Sequence, residues 1–192
     1  MEKSINNFQS TKIESKNSLN ITLSYDFLSN LIELNWYDIL FCIENDFLSY
    51  QSAVEHAIKI LDENSSQDVI ELTLLKLDNN IFPHSIHPYI DTLANSVSLE
   101  QKSQTYEKIL YAVLSWLFKN SFKYSYNDLQ NKIDIIYADF GYPKSMSNLC
   151  SYTIHSPKEF IGIKTPIDRL NKEWLKYLKN MEILFKKPFN SL

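Results

Sequence analysis

Four histidines are the first residues to test for chemistry. His84 and His87 stand three apart, a spacing found in zinc sites, but such a site takes three or four protein ligands. No cysteine is near, and Asp91 is the one acid close in sequence. Pro83 and Pro88 flank the pair, and prolines so placed predict turns rather than a helix with both rings on one face. His84 and His87 are therefore read as turn residues, with no metal and no cofactor expected. His56, beside Glu55 on an acidic helix, reads as a surface or half-buried residue. His155 falls in an irregular stretch.

Nucleophile motifs are absent. There is no serine elbow, no His-Glu-x-x-His and no kinase signature. The 2 glycines, Gly141 and Gly162, stand too far apart for a phosphate-cradling loop. Arg169 is the single arginine, whereas sites that hold phosphates or carboxylates usually converge Arg or several Lys. Carboxylates are plentiful, and choosing an acid–base pair among them requires geometry. Cys42 and Cys150 belong to no Cys-x-x-Cys pair and read as buried, reduced thiols, as in a cytosolic protein. These features make an enzyme the secondary reading.

Charge is distributed unevenly. The chain carries a formal −4, yet residues 20–100 hold 13 acids against Lys59 and Lys76, a net of −11. Residues 158–192 hold 7 Lys and Arg169 against 4 acids, a net of +4. Such asymmetry speaks to partners and solubility, not to fold. An acidic half argues against nucleic acid as its ligand and suits a basic protein. The candidate contact residues are Asp38, Glu44, Asp46, Glu55, Asp62, Glu63, Asp68 and Glu71. Trp36 and Tyr37, rings within that acidic field, are the candidate anchors, because aromatic side chains dominate binding energy at interfaces.

The elements that must position these residues are helices. Asn35 caps one starting at Trp36, with Asp38 at its third position, and it ends near Asn45–Asp46. Ser49 opens the next, with Ala53, Ala57, Ile58, Ile60 and Leu61 inward. Ser65 or Ser66 caps a third, with Val69, Leu72, Leu75 and Leu77 inward. Ser98 and Gln101 form a capping box before a helix that is apolar nearly all round from Ile109 to Phe118, as befits the centre of a bundle. Ser125 starts another, stopped by Gly141 and Pro143. Thr165-Pro166 starts the last, lined by Ile167, Leu170, Trp174, Tyr177, Leu178, Met181 and Phe185. Leu19, Ile21 and Leu23 alternate as a short strand or extended arm.

With 192 residues, 44% of them hydrophobic and 22% charged, the chain is neither disordered nor a disulfide scaffold. The expected fold is mainly α: one bundle of six to seven helices over residues 19–192, with an irregular or hairpin segment at 151–164. Residues 1–18 read as a mobile tail. The N-terminus has no apolar run of a signal peptide, and the longest apolar stretch falls short of the ~20 residues that span a bilayer. No membrane is expected, and the expected location is the cytoplasm.

The segment Ile136-Tyr-Ala-Asp-Phe-Gly-Tyr-Pro143 is the most distinctive. Together with Asn35-Trp-Tyr-Asp-Ile-Leu-Phe-Cys-Ile-Glu44 it resembles a family of uncharacterised small helical bacterial proteins, over roughly residues 25–185. Some members are immunity proteins of polymorphic or contact-dependent toxin systems. The chain departs from that pattern at Asn45-Asp46, where relatives often carry a glycine. The resemblance implies a protein that binds and neutralises the C-terminal domain of a cognate toxin by occluding it. It supplies no catalytic residue. A carboxylate-based hydrolase and a housekeeping interaction adaptor are the alternatives.

Overall fold

The computed structural model describes residues 17–75, 83–152 and 165–185. Among them run eight α-helices: α1 (Tyr25–Leu31), α2 (Trp36–Glu44), α3 (Gln51–Ile60), α4 (Gln67–Leu74), α5 (Pro83–Asn95), α6 (Leu99–Lys119), α7 (Tyr126–Asp139) and α8 (Pro166–Phe185). Short 3-10 turns occupy Ser121–Lys123 and Lys144–Leu149. The described residues contain no strand. The expected hairpin lies largely outside them, as do His155, Leu77 and residues 1–16 of the expected tail.

Local hydrogen bonds decide most helix starts. At α2, Asn35 Oδ1 accepts from the Asp38 amide at 2.9 Å, while Asp38 Oδ2 accepts from the Asn35 amide at 3.0 Å. Two amides left without helical partners are satisfied reciprocally. Ser98 Oγ accepts from the Gln101 amide at α6, and Ser125 Oγ from the Asp128 amide at α7. Thr165 Oγ1 does the same for Asp168 at α8. Gln101, however, meets the Ser98 hydroxyl itself.

The end of α7 is a Schellman motif. The Tyr142 amide reaches the Tyr137 carbonyl at 2.8 Å and the Gly141 amide reaches that of Ala138 at 3.0 Å. Gly141 takes φ 62°, the left-handed conformation this closure requires. The Tyr137 and Tyr142 rings meet edge to face across it, with centroids 5.3 Å apart.

α6 forms the centre, with every residue from Lys108 to Leu114 buried. α2 and α8 pack against it, α5 covers α2 and α4, and α3 lies between α4 and α1. After a turn at residues 17–20, residues 21–24 are an extended arm rather than a strand: Ile21 and Leu23 are buried, and the Leu23 amide bonds the Phe47 carbonyl at 2.8 Å. Ser18, placed in the tail by sequence, is anchored. Its amide and hydroxyl both donate to the Asp139 carboxylate, at 2.8 and 2.7 Å.

Four expectations need correction. The fold is mainly α, as expected, but the described residues hold eight helices where six or seven were expected, the additional ones being α1 and α5. Pro88 does not break its segment into turns. It is the sixth residue of α5, where its missing N–H removes one helical bond. Ile86, Ile90 and Leu93 meanwhile form a buried stripe at helical spacing. Ser49 gives α3 no side-chain cap; Tyr50 stands at its N-cap position. Finally, α3 is rotated from its expected phase. It buries Ser52, Val54 and His56 with Ala53 and Ala57, and it leaves Ile58, Ile60 and Leu61 exposed.

Candidate functional site

The ten candidate contact residues separate into three groups. Trp36 and Asp38 are corrections: both are buried, Asp38 completely. The Trp36 ring packs edge-on against His56, with centroids 4.6 Å apart. Asp38, at the third position of α2, turns toward α6. Its Oδ2 pairs with Lys108 Nζ at 2.8 Å, and its Oδ1 accepts from the Thr105 hydroxyl. Neither residue is available to a partner. Tyr37 is half-buried beneath Lys102, whose Nζ lies 5.3 Å from the ring centroid.

Glu44 and Asp46 form the second group, both exposed where α2 ends. The third group is the corner where α3 turns into α4. Glu55, Asp62 and Glu63 are exposed there, and Asp68 and Glu71 half-buried. Asp62 also shapes the corner, since its Oδ1 accepts from the Asn64 amide at 2.9 Å and the Ser65 hydroxyl at 3.1 Å. Burial and the nearby charge of Asp26 push the Glu55 carboxyl above its ordinary pKa of 4.5. The corner also exposes Ile58, Ile60, Leu61, Ile70 and Leu74, the last at 55%. On α4, Ile70 and Leu74 stand one turn apart and share an edge.

A second arrangement was not anticipated. A groove runs past the α1–α2 connection in two lobes that share Glu33 and Leu34. The smaller, about 230 Å³, lies between α1 and α3. Tyr25 and Ser29, one turn apart on α1, face His56 and Lys59 of α3 there. The Tyr25 hydroxyl is 3.0 Å from His56 Nδ1, and Lys59 Nζ donates to Ser29 Oγ at 2.8 Å. Burial pushes the Tyr25 hydroxyl up to about 12; the Ser29 hydrogen bond opposes this, and the charges of Glu55 and Asp26 add to it. The larger lobe, about 360 Å³, is lined by Asn35, Gln101, Gln104, Lys108 and Phe185 among others.

The described structure buries seven polar or charged residues; Ser29, His56 and Lys108 line this groove, and Asp38 and Thr105 join Lys108 in one hydrogen-bonded chain. Buried polar groups destabilise a fold unless hydrogen-bonded, so their concentration beneath one groove makes it a candidate site. The Ser29 hydroxyl lies inside helix α1 and its oxygen is engaged by the Lys59 ammonium, so it is not an activated nucleophile.

Sequence reasoning missed Tyr25, Ser29, Glu33, Lys59 and Lys108. One signal was available: Gln101, Thr105 and Lys108 run at helical spacing as a polar line into an otherwise apolar helix.

The histidine pair resolves differently from expectation. His84 and His87 share helix α5. His87 Nδ1 lies 3.9 Å from Asp91 Oδ1, and its Nε2 3.5 Å from the Tyr50 hydroxyl. Among the described residues, no group of three or more His, Cys, Asp or Glu could hold a metal ion. Both cysteines are buried and free, and burial raises the pKa of each thiol. No described helix is long and apolar enough to cross a membrane.

Compared with known proteins, residues 25–182 match the family described as "uncharacterized protein conserved in bacteria (DUF2247)". No curated protein and no solved structure matches the chain.

Proposed function

The chain belongs to the DUF2247 family of bacterial proteins, and from that premise we propose that it is an immunity protein, acting in the cytoplasm by covering a cognate toxin domain. The observation that supports this reading is the α3–α4 corner, where exposed aliphatic side chains lie among carboxylates. Apolar contacts supply affinity, and surrounding charge supplies steering and partner choice. The buried Trp36 is replaced as anchor by Leu61, Ile70 and Leu74. The partner is then a basic protein surface with an apolar centre, as on a toxin domain that attacks nucleic acid.

The test is co-expression with the C-terminal domain of a large toxin encoded immediately upstream. The intact protein is expected to co-purify with that domain and to protect cells from it. A variant carrying Glu63→Lys, Asp68→Lys and Glu71→Lys associates more slowly, with the loss greatest at low salt. If protection and association rate both survive the three reversals, the corner is not the contact surface.

The groove supports a second reading, a carboxylate-based hydrolase in which Glu33, common to both lobes, is the reacting group. That reading requires turnover, and it fails if Glu33→Gln leaves any activity found unchanged.

A further inference from the structure

Beyond partner binding, the smaller lobe of the groove has the makings of a ligand site. Lys59 is the one lysine or arginine on α1–α4. Acids surround it in sequence, yet among the described residues its ammonium meets only the Ser29 hydroxyl and, at 5.6 Å, the Tyr25 ring. An ammonium carries three donors. Ser29 engages one and thereby orients the group, and the others remain for a ligand. Glu33 lines the same lobe. Its backbone carbonyl accepts from Lys108, but among the described residues its carboxylate forms no ion pair, with Lys59 or any other base.

A cation and an anion therefore line one small cavity without neutralising each other. The lobe's formal charge is zero, so it favours a ligand carrying both signs over one carrying either alone. Leu34 and Ile60 supply apolar wall. The volume of about 230 Å³ lies below the ~300–1,000 Å³ of drug-sized sites. The floor is held in place, because Tyr25 and His56 are hydrogen-bonded to each other and both are buried.

We propose that this lobe binds a free α-amino acid with an aliphatic side chain, its carboxylate on Lys59, its ammonium on Glu33 and its side chain against Leu34 and Ile60. The site meets the α3–α4 corner only at Ile60 and does not depend on the partner reading.

The experiment is titration of the full-length protein with L-leucine, followed by amide NMR shifts and calorimetry. N-acetyl-leucine, which lacks the ammonium, and leucinamide, which lacks the carboxylate, are the comparison probes. Leucine is expected to bind saturably, with a dissociation constant on the order of 1 mM and shifts centred on Tyr25, Ser29 and His56. Each comparison probe is expected to bind about tenfold more weakly, as when a hydrogen bond to a charged group is lost. Lys59→Met and Glu33→Gln alter exposed residues, so they should fold normally by circular dichroism, and each should weaken leucine by a similar factor. No saturable shift in this lobe overturns the proposal. Equal binding of leucine and N-acetyl-leucine overturns it too, as does leucine binding unchanged in both variants.

Discussion

Asp38 and Glu63 are both carboxylates of the acidic half, 25 residues apart, and they are used in opposite ways. Asp38 lies in the seam between α2 and α6, wholly removed from water, with an amide, a hydroxyl and an ammonium on its two oxygens. Glu63 stands in solvent at the α3–α4 corner among exposed isoleucines and leucines. In the seam, polar groups fix how helices meet. At the corner, no ion pair among the described residues engages the Glu63 carboxylate, which leaves its charge to act on another molecule. The comparison teaches that an acid-rich sequence is not one feature: burial divides it into an internal lock and an external field.

The strongest way to break this comparison is Lys108→Ala. It strands Asp38 without its cation, and removing one member of a buried pair typically costs about 3–5 kcal/mol. Urea unfolding should show that loss; a change under about 1 kcal/mol would mean water reaches the seam. Replacing both members, with Asp38→Leu and Lys108→Met, should recover much of the stability, since the lone charge is then gone.

Alkaline pH gives the next effect. Tyr25, Tyr106 and Cys150 are raised to about 12 by burial, and Cys42 and Tyr177 are raised as well. The folded state keeps these protons after the unfolded chain has lost them. Stability is therefore complete below the ordinary values of 9.0 for thiols and 10.0 for tyrosines and is lost as pH rises toward 12. The midpoint of thermal unfolding should fall steadily above pH 9, and a flat profile to pH 11 would contradict this burial.

At the corner, Glu63→Lys and Asp68→Lys should each change stability by less than about 0.5 kcal/mol, as surface substitutions usually do. A larger loss would move these carboxylates to the structural side of the division. Glu55 sharpens the boundary. Its pKa is raised by partial burial and by Asp26, so its ionisation opposes folding. The penalty is absent below the ordinary carboxylate value and sets in as pH rises through the folded one. Glu55→Gln should therefore melt slightly higher than the wild type at pH 7, with the difference closing near pH 4. This is the smallest of the four effects, because solvent screens an exposed side chain.

What could be read from the sequence was whatever a local hydrogen bond decides. Asn35, Ser98, Ser125 and Thr165 start helices where expected, and Gly141 ends one, because each bond joins residues three to five apart. The central position of α6 was legible from its nearly unbroken apolar run. The face of α3 was not, since His56 is buried by virtue of Tyr25 and Trp36, which lie on other helices. Sequence places Trp36 and Asp38 outside for a related reason: it shows their acidic neighbours but neither the His56 ring against Trp36 nor Lys108, 70 residues from Asp38. The groove escaped notice because its walls come from α1, α3, α6 and α8, and no local pattern joins them.

The clasp between Ser18 and Asp139 bears on how the protein is made. The two residues are 121 positions apart, and Asp139 belongs to the last turn of α7. On the ribosome the extended arm emerges early, yet its anchor is synthesised far later, at rates of roughly 5–20 residues per second. For several seconds Ile21 and Leu23 have no complete seat. The arm therefore closes late, and a chain interrupted before α7 presents an uncovered apolar edge to chaperones and proteases.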